Sequence, residues 1–118
     1  MPKKLVLMGV VASLAFAYAC SKGEGESTTP VSFEGPIAST DVAKGAEVYA
    51  TYCEGCHPGG AAGDGPVITG LNWSPAAMRN QIRLGSDDMP SFGTEKISDS
   101  ELEALLAFTV TLDATSPQ

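Results

Sequence analysis

Histidine is almost missing from this 118-residue chain: His57 is the single one. Any site that needs two imidazoles is therefore excluded. Cations are scarce as well, with seven Lys and Arg against fourteen Asp and Glu and a net charge of −7. Nucleic acid is not an expected partner, because phosphate contacts need clustered Lys and Arg. Long apolar runs are also lacking. The one candidate, Leu5 to Tyr18, is about fifteen residues, short of the roughly twenty that span a hydrocarbon core. The length allows one small domain and little else.

What is present begins with that apolar run. Lys3 and Lys4 precede it, and Ala17-Tyr18-Ala19 closes it just before Cys20. A basic start, an apolar stretch and small residues at −3 and −1 are the layout of an export signal, so residues 1–19 are expected to be removed. Cys20 would then be the first mature residue, which resembles a bacterial lipoprotein whose thiol carries diacylglycerol. Such sequences usually have Leu where this chain has Ala17, and an ordinary A-x-A site cuts the same bond. The lipid anchor is the favoured reading, since a lone free thiol is an odd thing to export. Loss of Lys3 and Lys4 leaves five basic residues against fourteen acidic ones, a net charge of −9. An acidic surface serves solubility first; its sharper use is docking to a basic partner, where charge complementarity raises the on-rate.

Residues 20–39 are rich in Ser, Gly, Glu, Thr and Pro without periodicity, and read as a flexible linker. Twenty such residues reach about 25 Å. The folded part is expected over 40–113, with 114–118 as a tail. Thr40 is placed to cap a first helix with an acidic first turn and with Val42, Ala46 and Tyr49 at helical spacing, running into Cys53. The Gly-rich stretch 59–70 cannot be regular structure. Ser74-Pro75 opens a second helix through Met78 and Ile82, stopped by Gly85. Ser98-x-x-Glu101 is a capping box ahead of Leu102, Leu105, Leu106, Phe108 and Leu112. The expected fold is all-α: about three helices, long loops and no convincing strand. So small a domain with so much loop buries little apolar surface, and something other than protein is expected to fill its core.

The stretch Cys53-Glu-Gly-Cys56-His57 offers three chemistries. A redox dithiol belongs at a helix N-terminus after a strand, whereas these cysteines follow a helix and no βαβ pattern surrounds them. A structural zinc site wants four ligands, commonly two pairs, and only one pair is here. Haem attachment uses every residue: two thiols three positions apart add to the two vinyl groups, and the adjacent imidazole meets the iron. Attachment after export agrees with the leader.

On these residues the chain resembles the small class I cytochromes c, over about 40–113. Gly45 and Tyr49 look like the glycine–aromatic pair of that family's first helix, and Phe108 like the aromatic of its last. Ile82-x-x-Gly85-x-x-x-Met89-Pro90-x-Phe92 is similar to the segment carrying the sixth iron ligand. The resemblance therefore implies one covalently bound haem c with Cys53 and Cys56 as attachment points, His57 and Met89 as axial ligands, and Pro66 as the loop proline whose carbonyl accepts a hydrogen bond from the imidazole. Pro58 departs from the family and is expected to end the helix sharply. Met78, at helical spacing with Ile82, reads as core filler. The alternative for Met89 is a residue that merely packs, leaving an open iron. Trp73 reads as core, with a haem propionate as its sharper partner.

The implied function is a one-electron carrier, not an enzyme, shuttling between membrane redox complexes in the periplasm or at the outer face of the cytoplasmic membrane. Redox proteins, some with basic docking surfaces, and the membrane itself through Cys20 are the expected partners. No small-molecule substrate is expected, since His/Met ligation raises the potential and fills both axial positions. The alternatives are a fixed haem subunit of a membrane oxidoreductase, and a haem peroxidase or gas sensor in which Met89 is labile.

Overall fold

The computed structural model describes residues 33–118. The expected leader, its cleavage site and Cys20 lie outside the described residues. Among the described residues are three α-helices, α1 (Val42–Tyr52), α2 (Pro75–Leu84) and α3 (Asp99–Thr111), with one 3-10 turn at Pro58–Gly60 and no strand beyond two isolated bridges. The fold is all-α, and no described helix is long and apolar enough to cross a membrane.

Helix α3 forms the centre. Ser98 Oγ accepts from the Glu101 amide while the Glu101 carboxylate accepts from the Ser98 amide, so the expected capping box is complete. The helix buries Leu102, Leu105 and Leu106 together with Ala104, Ala107 and Thr109, leaving little of its girth to solvent. A helix apolar nearly all round needs cover on more than one side. It packs against α1 far more extensively than against α2.

The α1–α3 crossing explains which face of α1 is buried. Gly45, Val48 and Tyr49 face inward and Val42 is exposed, so the stripe runs through Gly45 rather than through Val42 and Ala46. A Cβ on Gly45 would stand 2.7 Å from Phe108 Cβ and closer still to the Ala104 carbonyl. Only a bare Cα admits this approach. One turn on, the Tyr49 and Phe108 rings meet with centroids 5.1 Å apart. The cap of α1 also differs from expectation. Asp41, not Thr40, holds the helix start by accepting from the Lys44 amide at 3.0 Å, and the first turn holds no acidic residue. The carboxylate is the acceptor that reaches the third amide, while the Thr40 carbonyl is taken by the Val42 amide.

Helix α2 starts at Ser74-Pro75 and stops at Gly85, as read from the chain. Its buried residues include Met78, Ile82 and an arginine, Arg79. Two further stretches, outside 40–113, pack on the domain. Ala114 and Thr115 are fully buried, with Thr115 Oγ1 2.8 Å from Thr109 Oγ1 and the Trp73 amide donating to the Ala114 carbonyl. At the other end, residues 33–38 lie against Arg79 and Glu103.

Candidate functional site

Helix α1 delivers the cysteines. It ends at Tyr52 with Cys53 as its cap, six residues before the proline that was expected to stop it. The chain then continues through one further turn: the His57 amide donates to the Cys53 carbonyl at 2.8 Å and the Cys56 amide to the same oxygen at 3.1 Å. Pro58 instead opens the 3-10 turn, a position where its missing N–H is no loss. The Cys53–His57 turn thus keeps both thiols and the imidazole on one compact stretch. Cys53 is partly buried against the core and Cys56 is exposed.

Three contacts hold His57. Its carbonyl accepts from the Gly60 amide at 2.8 Å and from the Tyr49 hydroxyl. Its ring Nδ1 lies 2.9 Å from the Pro66 carbonyl. A carbonyl only accepts, so Nδ1 carries the proton and Nε2 presents a lone pair. Gly65, whose amide donates to the Cys56 carbonyl at 2.8 Å, lies against the ring. A Cβ there would stand 2.7 Å from Nδ1, so the loop closes over the imidazole only because that residue is glycine.

A second loop presents Met89. Ser86 and Met89 exchange both backbone hydrogen bonds, at 3.1 and 2.9 Å, across a tight turn with Asp87 at φ +51°. Gly85 enters it at φ +66°, where a Cβ would press on the Met89 carbonyl and Pro90. The Met89 sulfur receives the side-chain amide of Gln81 at 3.2 Å, and the same nitrogen is 2.9 Å from Ser86 Oγ. Gln81 is the residue that sequence reasoning passed over. Its signal was faint: an amide on α2, one turn ahead of the Gly85 stop. Met89 borders the same apolar cluster as Cys53. Cys20 lies outside the described residues.

The chemistry of this donor set fits a covalently held haem: two thiols, an imidazole with a free Nε2, and a thioether. The rival uses fare worse. Burial first, and then the charges of Cys56 and Glu54, push the Cys53 thiol up to about 12. A redox dithiol needs the opposite shift. Among the described residues no group of three or more His, Cys, Asp or Glu is placed to hold a metal ion, as a zinc site would require. Burial likewise raises Tyr49 to about 12, so its hydroxyl remains a donor at neutral pH. Trp73, expected in the core, is 38% exposed, while its backbone pairs with the 114–116 segment.

Comparison with known proteins places the chain beside two relatives. The family profile described as cytochrome C oxidase, cbb3-type, subunit III matches residues 40–108. The chain is 30% identical over 86 residues to cytochrome c6 of Synechococcus sp. (strain ATCC 27167 / PCC 6312), a match covering 62% of this chain and 71% of that protein.

Proposed function

We infer, because this chain belongs to the class I c-type cytochromes, that its covalently bound c-type haem is held through Cys53 and Cys56 and ligated by His57 and Met89. The protein is a haem-based electron carrier. When bound, the haem iron takes up and returns one electron. The chain's own residues attach, orient and enclose it. Cys53 and Cys56 would hold it by addition of each S–H across a vinyl group, an addition in which nothing leaves and no oxidant is needed. Pro66 keeps the proton on Nδ1 and the lone pair of Nε2 outward, and Gly65 lets the loop close over the ring. Gln81 steadies the sulfur of Met89.

The observation that carries this reading is the 2.9 Å contact of His57 Nδ1, one residue after Cys56, with the Pro66 carbonyl. A neutral imidazole with a committed Nδ1 is the form a metal ligand needs. Ligation by His57 and Met89 would raise the potential and leave the iron no open place for a substrate. The working location is the periplasm or the outer face of the cytoplasmic membrane, with Cys20 as a lipid anchor. A partner with a basic face suits the surface. Glu54, Asp64, Asp87 and Asp88 are exposed around the two loops, while Arg79 and Arg83 are occupied by internal acceptors.

The test is the visible spectrum of the ferric holoprotein beside Met89→Ala. A weak long-wavelength sulfur-to-iron band that vanishes in the variant is expected. A native protein without that band, high-spin and open to added ligands, would make the sensor or peroxidase the better account. The family match favours a second reading, a haem subunit fixed in a membrane oxidase. Co-purification with oxidase subunits after mild solubilisation separates that from a free shuttle.

A further inference from the structure

Met89 stands in a loop whose two ends both rest on the last turn of α2. At the first, the Gly85 amide donates to the Gln81 carbonyl at 2.8 Å. At the second, the Phe92 amide donates to the Ile82 carbonyl at 2.9 Å, an oxygen that the helix end leaves without an intrahelical partner. The second end has a further holder. Arg83, the basic residue in the last turn of α2, has a side chain only 10% exposed. Its Nη1 donates to the carbonyls of Phe92 and Ile97 at 3.0 and 2.6 Å, and its Nη2 to Asp99 Oδ1 at 2.8 Å.

Phe92 and Ile97 bracket a turn in which the Lys96 and Ile97 amides both donate to the Gly93 carbonyl at 3.0 Å. One planar fork therefore ties α2 to the end of the Met89 loop, to the turn beyond it and to the first residue of α3. The same end is anchored by packing. The buried Phe92 ring meets Tyr52 edge-on, with centroids 5.6 Å apart, and Tyr52 directly precedes Cys53. Asp99 has an 89% exposed side chain, so water screens its bond and the two carbonyls supply most of the hold. Bonds from a charged donor are about twice as strong as neutral ones.

Gln81 acts on the sulfur of Met89; Arg83 acts on the backbone that carries it. We propose that Arg83 is the positioning residue of this loop: it keeps the Phe92 end closed and so sets how readily Met89 yields its place to an added ligand. The inference rests on Met89 as the axial ligand. To swing the loop away, the Phe92 amide must leave Ile82 and the Phe92 carbonyl must leave Arg83. The Ser86–Met89 turn can travel intact, because its two hydrogen bonds are internal. Loss of Arg83 thus lowers the cost of local opening, which is a smaller event than unfolding of the core.

The experiment titrates imidazole into the ferric holoprotein, native beside Arg83→Leu and Arg83→Gln, with the sulfur-to-iron band as the signal. Amide exchange is measured on the same three proteins. The leucine variant removes every donor; the glutamine variant keeps an amide donor and decides the matter if the first does not fold. Apparent imidazole affinity is expected to rise about tenfold in Arg83→Leu and about threefold in Arg83→Gln, as loss of bonds from a charged donor implies. The Phe92 amide should exchange faster by the same factors, with those of Leu105 and Leu106 in α3 unchanged. Unchanged affinity in variants that keep the band overturns the proposal and leaves Met89 as ligand. Equal acceleration at Leu105 and Leu106 assigns Arg83 to overall stability and overturns it as well. Native protein without the band overturns the Met89 ligation, and the inference with it.

Discussion

Around His57 the chain holds its candidate ligand by strong, short-span bonds. A ring N–H meets a carbonyl nine residues on, a glycine closes over the imidazole, and the His57 carbonyl takes two donors. Around Met89 the backbone is equally well pinned by its turn, but the sulfur itself depends on one amide at 3.2 Å. Sulfur is a weak acceptor. The first loop fixes its ligand by backbone and ring together; the second has a fixed frame and a side chain held by one weak bond. For the ligand pair proposed above, that difference would place stability at His57 and adjustability at Met89.

The sharpest attack on this contrast is Gly65→Ala. The added methyl has no room beside His57 Nδ1, and overpacking of this kind costs about 3 kcal/mol. Denaturant unfolding of the holoprotein should show that loss, with the imidazole displaced. An unchanged midpoint would mean that the loop yields and is not the rigid partner. Next is Glu103→Gln, remote from both loops. It should lower stability by about 2 kcal/mol, as loss of hydrogen bonds to a charged partner does, while leaving both ligand signatures alone.

That variant carries a pH signature as well. The Arg79 guanidinium bonded to Glu103 holds its carboxyl below the ordinary glutamate range. A lowered folded-state pKa gives stability that is complete above the unfolded value and is lost as pH falls through the folded one. Native protein should therefore lose this contribution below about pH 4, and Glu103→Gln should lack that part of the acid transition. The smallest expected effect, about 1 kcal/mol, belongs to Gln81→Leu. It should let added imidazole displace Met89 about fivefold more readily and leave overall unfolding unchanged. Equal displacement in both proteins would remove the proposed difference between the loops.

Much of this was legible because its causes are local. Ser98 and Glu101 cap a helix within one turn, Pro75 and Gly85 bracket another, and Cys53, Cys56 and His57 share a single turn. The misreadings fall where two local signals compete or where none exists. Thr40 and Asp41 are both capping types, and adjacency alone does not say which reaches Lys44. Pro58 looked like a stop, but α1 had already ended at Tyr52 and the proline starts the next turn. Trp73 is 38% exposed, and its backbone pairs with residues 114–116, which carry no periodicity to announce it.

Composition alone excluded a second imidazole, and order along the chain was sufficient for the three helices of the described residues and the attachment chemistry of Cys53-x-x-Cys56-His57, since these depend on bonds between near neighbours. The choice of Gly45 as the crossing point with α3, the burial of Arg79 under residues 33–38, and the amide that Gln81 offers Met89 came from packing. An arginine or a glutamine on a helix reads as solvent-facing until the segment that covers it is in place, and that segment arrives from elsewhere in the fold.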